Sequence, residues 1–426
     1  MWQRIGNPVP GPESQDQAQA LVNSPHGSKN PLPSPPHDGS MGLMATAESY
    51  VLAIGTKKGL WLATSPDRKE WSLSGPHFLM SEIPSIGIDT RDGKTRIMVG
   101  VRSEHWGPTV AHSDDLGATW TEPEQGAIKF PDGTDATLER VWQIHPDADS
   151  RPGVVWAGCE PISVWKSTDG GEHFELNRGL WDHPHRSEWG AGYGGAAAHS
   201  IVVDPSGEKV HIAMSTGGVY RSLDGGTSWE PRNKGISAYF MPDPNPEFGQ
   251  CVHKIAADAS VEGRLYAQNH HGVYRTDDNG ENWDSIAEGL PADFGFVMLT
   301  HPRREGTAWV IPLKADGERI PPGSKLSVHR TDDAGNTWKE LHTGLPDHEY
   351  NAVLRDAASV DTAEPVGVYF GTRGGSVYAS ADEGETFNEV VSHLPDVLCV
   401  RAAVVVGSDA GATAVEQSAA SAPVPG

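Results

Sequence analysis

The chain has 426 residues, of which 37% are hydrophobic and 8% aromatic, and its 33 basic against 57 acidic side chains give a net charge of −24. An acidic surface repels nucleic acid and anionic membranes, so we expect neither as a partner. The longest apolar run, 397–406, is interrupted by Arg401 and is too short to cross a bilayer.

The three cysteines, Cys159, Cys251 and Cys399, are odd in number and far apart in the chain. This spacing matches neither a disulfide framework nor a zinc motif, so the cysteines are interpreted as reduced. The early Arg4 is not followed by the apolar segment of a signal peptide. Together these features predict a cytoplasmic protein.

The two ends of the chain differ in composition from its middle. Residues 1–44 are rich in Pro, Ser, Gly, Asn and Gln, and such a segment buries too little apolar surface to offset the entropy lost on ordering. We expect a disordered leader at 1–44, a folded domain at 45–406 and a disordered tail at 407–426. Met41 and Met44 directly precede the first strand-like run, so each is an alternative to Met1 as the translation start.

The middle of the chain is a repeat. Six copies of the pattern Ser/Thr-x-Asp-x-Gly-x-x-Trp/Phe occur, and a degenerate seventh copy lies at 65–71; the closing aromatics stand at positions 71, 120, 174, 229, 283, 338 and 387. Each repeat reads as four short strands, with the pattern in the turn between the third and fourth. Asp and Ser side chains in such a turn accept bonds from the backbone, and Gly supplies a positive φ. The aspartates are therefore interpreted as structural.

A strand repeat of about 50 residues predicts an all-β fold, a seven-bladed β-propeller of four-stranded blades. The first repeat begins with a second-type strand at 50–54, whereas the last ends with an unpartnered inner strand at 397–406. We therefore predict that the C-terminal strand completes the N-terminal blade, which covers both sheet edges. A closed ring favours a monomer.

The repeated turns resemble the Asp-box, or BNR repeat, of sialidases and related propellers, and the resemblance covers residues 50–406. Where sialidases have an Arg-Ile-Pro motif, this chain has Glu82-Ile83-Pro84, and a carboxylate there would repel an anionic sugar. The resemblance thus implies the fold without sialidase activity. Seven-bladed proteins with similar turns include a photosystem II assembly factor and the propellers of xyloglucan hydrolases, so it leaves both enzymatic and binding roles open.

The expected ligand site is the central funnel on the face opposite the repeated turns. Alignment of the inner strands places six residues at equivalent positions around the ring: Pro84, Arg140, His199, His253, Phe296 and Asn351. Three of them, Arg140, His199 and His253, belong to consecutive blades and are expected to converge. Charged, His and Trp residues are also concentrated in the loops of blades 2 to 5.

Two chemistries fit such a site, and a hydrolase-like enzyme acting on a glycan or another polar small molecule is favoured. In the first, Glu104, Glu139 and Glu160 supply the general acid and base for a glycosidic bond. The substrate-binding residues expected with them are Arg102, His105, Trp106, Arg140, Trp189, Asn269 and His271.

In the second chemistry, His199, His253 and either His270 or His271, with a Glu as the fourth group, bind a divalent metal that activates water. His270 is the preferred third ligand, although no diagnostic spacing supports this set. A third alternative is a non-catalytic scaffold or assembly factor whose funnel binds a protein partner.

Overall fold

The computed structural model of the chain describes residues 48–124, 126–192 and 194–406. The predicted leader and tail lie outside the described residues. Antiparallel strands form almost all of the regular structure, as the all-β prediction requires. No helix within the described ranges has the length and apolar character needed to span a membrane.

The strands are short and are numbered in chain order. Those of the first four blades are β1 (Glu48–Thr56), β2 (Gly59–Ser65), β3 (Ser72–His77), β4 (Glu82–Asp89), β5 (Arg96–Ser103), β6 (Gly107–Ser113), β7 (Arg140–Pro146), β8 (Val155–Glu160), β9 (Ser163–Ser167), β10 (Glu175–Leu176), β11 (Ala198–Val203), β12 (Val210–Met214), β13 (Gly218–Ser222) and β14 (Glu230–Pro231). Helical structure is limited to α1 (Arg178–Trp181) and to 3-10 turns at Arg91–Gly93, Pro184–Glu188 and Pro322–Ser324.

The remaining strands follow the same plan. They are β15 (Val252–Ala257), β16 (Leu265–Asn269), β17 (Val273–Thr276), β18 (Asp284–Ser285), β19 (Phe294–Gly295), β20 (Leu299–Thr300), β21 (Ala308–Val310), β22 (Pro312–Leu313), β23 (Val328–Thr331), β24 (Lys339–Leu341), β25 (Val353–Val360), β26 (Val368–Thr372), β27 (Val377–Ser380), β28 (Asn388–Val391) and β29 (Val397–Val406).

Strand pairing divides these elements into seven blade-like units. Four-stranded sheets are formed by β7–β10, by β11–β14, by β15–β18 and by β20, β21, β23 and β24. Strands β4–β6 form a three-stranded sheet, which an isolated bridge between His112 and Thr121 extends. Strands β25–β28 form the last unit, and β19 pairs separately with β22. The propeller class predicted from the repeat is confirmed.

The two ends of the described chain meet in one blade. Strand β29 pairs antiparallel with β1, from Glu48 opposite Val406 to Thr56 opposite Val397, and the sheet continues into β2 and β3. The pairing confirms that the C-terminal strand completes the N-terminal blade. Because β29 is the inner strand of that blade, it also borders the central channel, where it touches β25.

The repeated turns contain the hydrogen bonds that their sequence predicts. In the turn after β13, Ser222 Oγ donates to Asp224 Oδ1 at 2.8 Å and accepts from the Gly226 N–H at 2.8 Å, and Asp224 accepts from the Ser228 N–H at 2.8 Å. Gly226 has a φ of 96°, which a glycine adopts without strain. The carboxylate is thus engaged with its own turn, in agreement with a structural role.

The degenerate turn after β2 keeps part of this network. Ser65 Oγ donates to Asp67 Oδ1 at 3.2 Å, and the Arg68 N–H donates to Ser65 Oγ at 2.8 Å. The donor stands one residue earlier than in the other copies, which is the residue that this copy lacks. The shortened turn therefore still connects the third and fourth strands of its blade.

Neighbouring blades pack through apolar side chains and through polar contacts between their inner strands. Ser85 Oγ donates to the Val141 carbonyl at 2.8 Å, and Ser200 Oγ accepts from the Ile255 N–H at 3.0 Å. Gly158 in β8 faces the next blade so closely that a Cβ there would lie 2.3 Å from the Ala198 carbonyl oxygen. Close packing of this kind sets how near neighbouring blades come to one another.

The strand directions define two faces of the propeller. In each blade the inner strand starts on one face, and the third strand ends on the opposite face at the repeated turn; in the fourth blade β11 starts at Ala198 and β13 ends at Ser222. We call these the funnel face and the turn face. The first residues of all inner strands are thereby gathered around one opening.

Candidate functional site

A cavity of about 790 Å³ opens on the funnel face, where the inner strands begin. It therefore lies opposite the repeated turns, on the face where the sequence placed the ligand site. The charged, aromatic and potentially metal-binding side chains of the lining are those of Lys57, Glu82, Arg140, Trp142, Cys251, His253, His270, Phe296, Asp316, Arg319, Arg355, Asp356 and Arg373.

The alignment of inner strands located much of this lining. Four of the six aligned residues face the cavity, namely Pro84, Arg140, His253 and Phe296. The other two do not: His199 is fully buried, and Asn351 lines a neighbouring pocket.

An aromatic platform occupies one wall of the cavity. The guanidinium carbons of Arg140 and Arg355 lie 5.1 Å and 5.2 Å from the centre of the Trp142 ring. The indole Nε1–H of Trp142 donates to Glu160 Oε2 at 2.9 Å. Sequence reasoning missed Trp142, although a residue two positions after Arg140 on a strand points to the same side.

Glu82 lies between two arginines beside this platform. Its Oε2 is 3.0 Å from Arg140 Nη2 and 3.6 Å from Arg102 Nη1. The sequence identified Glu82 only as a departure from the sialidase motif, whereas the structure makes it a lining residue of the cavity. The two guanidiniums hold its carboxylate in a defined position.

Arg355 brings a charge without a counter-charge into the cavity. Its guanidinium carbon also lies 5.3 Å from the Phe296 ring centre, and Arg319 lies 5.4 Å from the same ring. Among the described residues, neither arginine forms an ion pair, and Arg355 Nε has no hydrogen-bond partner. Burial lowers the pKa of Arg355, but an arginine stays protonated at neutral pH. The cavity thus presents cations that an anionic ligand can neutralise.

A buried ion triad includes Asp356, one of the lining residues of the cavity. Asp356 in β25 is 2.6 Å from Lys254 Nζ in β15 and 3.0 Å from Arg401 Nη2 in β29. Burial raises the pKa of Asp356, but the two cations outweigh this effect and leave the pKa below its ordinary value. Asp356 thus links its own blade to two others across the channel, and these ion pairs neutralise its charge within the protein.

Three potential metal ligands meet among the other lining residues of the cavity. The ligand atoms of Cys251, His253 and His270 all lie within 4.8 Å of one another. His253 lies in β15, two positions after Cys251, and the backbone N–H of His270 donates to the Cys251 carbonyl at 2.9 Å. His253 Nδ1 lies 2.6 Å from the Gly295 carbonyl oxygen, and His270 Nε2 lies 3.3 Å from Asp316 Oδ2.

Burial sets the protonation of this group. It lowers the pKa of His253 well below the ordinary value and lowers that of His270 as well, so both imidazoles are neutral at pH 7. Burial also raises the pKa of the Cys251 thiol, an effect that the charge of Arg355 opposes. Neutral imidazoles and a cysteine are ligands that suit zinc and other borderline metals.

The structure brings two of the three predicted metal ligands into this group. His253 and His270 come together as expected, but His199 lies outside this group, and Cys251 stands in its place. The His199 ring packs near Trp142, with ring centres 6.5 Å apart. Cys251 and His270 flank the hairpin of β15 and β16 that carries His253, whereas His199 belongs to β11 of the preceding blade.

The predicted carboxylates occupy different positions. None of the three carboxylates is itself a lining residue of the cavity: Glu160 accepts a hydrogen bond from the lining residue Trp142, whereas Glu104 and Glu139 are exposed. Arg102 contacts Glu82 near the opening. Among the candidate acids, the structure therefore brings only Glu160 to the platform.

The remaining predicted residues lie outside the cavity lining. His105 and Trp106 are in the exposed loop between β5 and β6, and the Trp106 side chain is 92% exposed. Trp189 donates to the Tyr220 hydroxyl at 3.0 Å. Asn269 is buried and donates to the His271 carbonyl at 2.9 Å; the His271 ring packs against Tyr239 and Phe240. Asn269 and Trp189 thus support loop structure.

Part of the chain is similar to xyloglucanases. It is 27% identical over 234 residues, which are 50% of this chain and 25% of the relative, to a probable oligoxyloglucan-reducing end-specific xyloglucanase of Neosartorya fischeri. It is 25% identical over 266 residues, 58% of this chain and 23% of the relative, to a xyloglucanase of a Paenibacillus species. The chain thus spans about a quarter of the length of these relatives.

Among solved structures, the chain is similar to a GH74 enzyme of Niastella koreensis, with a TM-score of 0.50 and 14% identity. The match covers 73% of this chain and 45% of that chain. At this identity the likeness shows the propeller fold alone. No family model matches the chain.

Proposed function

We propose that this protein is a hydrolase that acts on an anionic glycan bound in the funnel cavity. The observation that carries the proposal is the Trp142 platform, whose ring centre has two guanidinium carbons at 5.1 Å and 5.2 Å and whose indole N–H donates to the carboxylate of Glu160. An aromatic face packs against the C–H face of a sugar ring, while flanking polar groups bond its hydroxyls. The partial similarity to xyloglucanases supports a glycan as the substrate class.

The preference for an anionic glycan follows from charge. The protein as a whole carries −24, yet Arg355 and Arg319 face the cavity without a carboxylate partner among the described residues. A buried cation that is left unpaired costs free energy, and a ligand carboxylate or sulfate removes that cost. We therefore expect uronate-containing or sulfated oligosaccharides to bind more tightly than neutral ones.

Two carboxylates are proposed to act on the glycosidic bond. Glycosidases need one group that protonates the leaving oxygen and a second that acts as base or nucleophile. Glu160 borders the platform at the Trp142 nitrogen, and Glu82 lies beside Arg140 on the adjacent blade. We assign Glu160 as the acid and Glu82 as the second carboxylate.

Activity on defined oligosaccharides tests this assignment. Release of new reducing ends from uronate-containing, sulfated and neutral oligosaccharides is measured by chromatography. Glu160→Gln is expected to lower kcat about 100-fold or more, as loss of a general acid does, whereas the exposed Glu104→Gln serves as its matched control. Turnover that is equally low in both variants, or unchanged in both, would contradict the role of Glu160.

Binding measured by calorimetry separates recognition from catalysis. Trp142→Ala is expected to weaken binding of all active oligosaccharides, while Trp106→Ala, which removes an exposed indole, leaves binding unchanged. Binding without any release of reducing ends would mean that the funnel belongs to a non-catalytic propeller.

The contribution of charge is tested with Arg355→Ala. We expect binding of the anionic oligosaccharide to weaken about 10- to 100-fold, the usual effect of losing a charge-assisted hydrogen bond, and binding of the neutral one to change little. Arg178→Ala is the control, since this arginine pairs with Asp182 on the surface. A variant that binds the anionic and neutral sugars with the same loss would refute the charge preference.

A further inference from the structure

We propose that Cys251, His253 and His270 form a zinc site whose fourth coordination position faces the funnel cavity. All three residues line the cavity, and their ligand atoms lie within 4.8 Å of one another. Three protein ligands with a fourth position left open are typical of a catalytic rather than a structural zinc site. The proposal is independent of glycan hydrolysis and is tested with the metal alone.

The strongest support is the orientation of the two imidazoles. Histidines that bind metals donate their other ring N–H to a backbone carbonyl or a carboxylate. The Gly295 carbonyl can only accept, so the 2.6 Å contact requires His253 Nδ1 to carry the proton. This leaves the lone pair of Nε2 for a metal. Asp316, 3.3 Å from His270 Nε2, supplies the corresponding partner for the second ring.

The backbone keeps the three ligands together without the metal. Cys251 and His253 are separated by two positions, and His270 follows the strand that pairs with them, where its N–H donates to the Cys251 carbonyl at 2.9 Å. One hairpin thus carries all three ligands. Such a prearranged group loses little conformational freedom when it binds a metal.

The ligand types select zinc. One thiolate and two imidazoles are the borderline-soft donors that Zn²⁺ prefers over Mg²⁺ and Ca²⁺, which take oxygen ligands. Binding would deprotonate the thiol, as metal coordination generally does. The same donors also bind Cu²⁺, which exceeds Zn²⁺ in affinity at most nitrogen and sulfur sites, so the experiment counts the zinc bound in a titration with zinc alone.

The test uses the full chain, freed of metal with a chelator and then titrated with zinc sulfate, with the bound metal counted by elemental analysis. One equivalent of zinc per chain is expected. Cobalt substitution reports the ligands directly, because a bound thiolate gives a charge-transfer band in the near ultraviolet. The expected result is that this band disappears in Cys251→Ser.

Three further variants locate the site. His270→Ala is expected to abolish stoichiometric binding, and Asp316→Asn to weaken zinc affinity about 10- to 100-fold, the usual effect of removing a group that orients a metal-binding histidine. His271→Ala is the matched control, which should bind zinc like the unchanged protein. Circular dichroism and a thermal melt verify that each variant is folded, and Asp316→Asn, which changes an exposed side chain, keeps the test valid if His270→Ala unfolds.

Several results would overturn the proposal. They are the absence of zinc binding, binding that survives in both folded Cys251→Ser and His270→Ala, and a cobalt complex without the thiolate band. Equal losses in His271→Ala and His270→Ala would place the metal elsewhere.

Discussion

The turn face and the funnel face use charged side chains in opposite ways. On the turn face, Asp224 is held by hydrogen bonds within its own turn, and Arg96 pairs with Asp114 at 2.7 Å. On the funnel face, Arg355 has no ion-pair partner among the described residues, and its Nε lacks a hydrogen bond. Local sequence neutralises charge on the first face, whereas the second gathers charge from distant strands and leaves some of it free.

The difference separates the groups that stabilise the ring from those that are available to a ligand. A buried polar group without a partner costs free energy, so its presence in a folded protein needs an explanation. The charged groups of the turn face are explained by the repeat, because they are paired or hydrogen-bonded next to its turns. Substitutions in the ion triad of the channel and on the turn face test whether the two groups of charged residues contribute differently to stability.

The largest expected effect is the loss of Asp356. Asp356→Ala leaves Lys254 and Arg401 buried without their carboxylate, and breaking a buried ion pair in this way costs about 3–5 kcal/mol of unfolding free energy. Chemical denaturation measures the change. Asp114→Ala on the turn face is the control, and because that pair is exposed it should lose at most about 1 kcal/mol. Equal losses of unfolding free energy in the two variants would show that the buried ion triad stabilises the fold no more than an exposed ion pair does.

The next effect is a pH dependence from His211. This buried histidine donates from Nε2 to the Asn279 carbonyl at 3.1 Å, and burial lowers its pKa to about 4. In the unfolded chain His211 takes up a proton near pH 6.5, whereas in the folded protein it stays neutral down to about pH 4. The unfolding free energy is therefore highest above pH 6.5 and decreases as the pH falls toward 4. About 3 kcal/mol is at stake, at roughly 1.4 kcal/mol per pH unit.

Denaturation between pH 7.5 and about 4 compares the unchanged protein with His211→Gln. The variant should lose less stability on acidification, because its side chain does not titrate. His348→Gln, which replaces an exposed histidine, should follow the unchanged protein. Parallel curves for all three proteins would show that His211 is not the titrating group.

The smallest effect is expected in a single repeated turn. Asp224→Ala removes the acceptor of the Ser228 N–H and of the Ser222 hydroxyl, and loss of such a capping side chain costs about 1 kcal/mol. Hydrogen bonds from the Ser228 hydroxyl, and then from the Ser228 N–H, lower the pKa of Asp224 to about 2, so the contribution of Asp224 to stability is present above the ordinary pKa and is lost as the pH falls toward 2. Denaturation at neutral and acidic pH measures it; Asp182→Ala, at an exposed pair, should show no such dependence.

Prediction from sequence worked best where the interactions are local. Ser222, Asp224 and Gly226 bond one another within a few consecutive residues, so the repeated pattern reveals its own structure. The alignment of inner strands also placed Arg140 and His253 at the cavity. It missed Trp142 and Arg355 because one position per strand was aligned, whereas a strand presents every second residue to the same side.

The sequence by itself determined the repeat, the propeller class and the closure of the ring by the last strand, because strand periodicity and turn hydrogen bonds depend on residues close together in the chain. Only the tertiary structure decided which side chains share the cavity. Cys251 replaced His199 among the potential metal ligands, and Arg355 came to lie beside Trp142 from another blade. Such contacts depend on how blades that are far apart in the chain pack together, and no local sequence pattern predicts that packing.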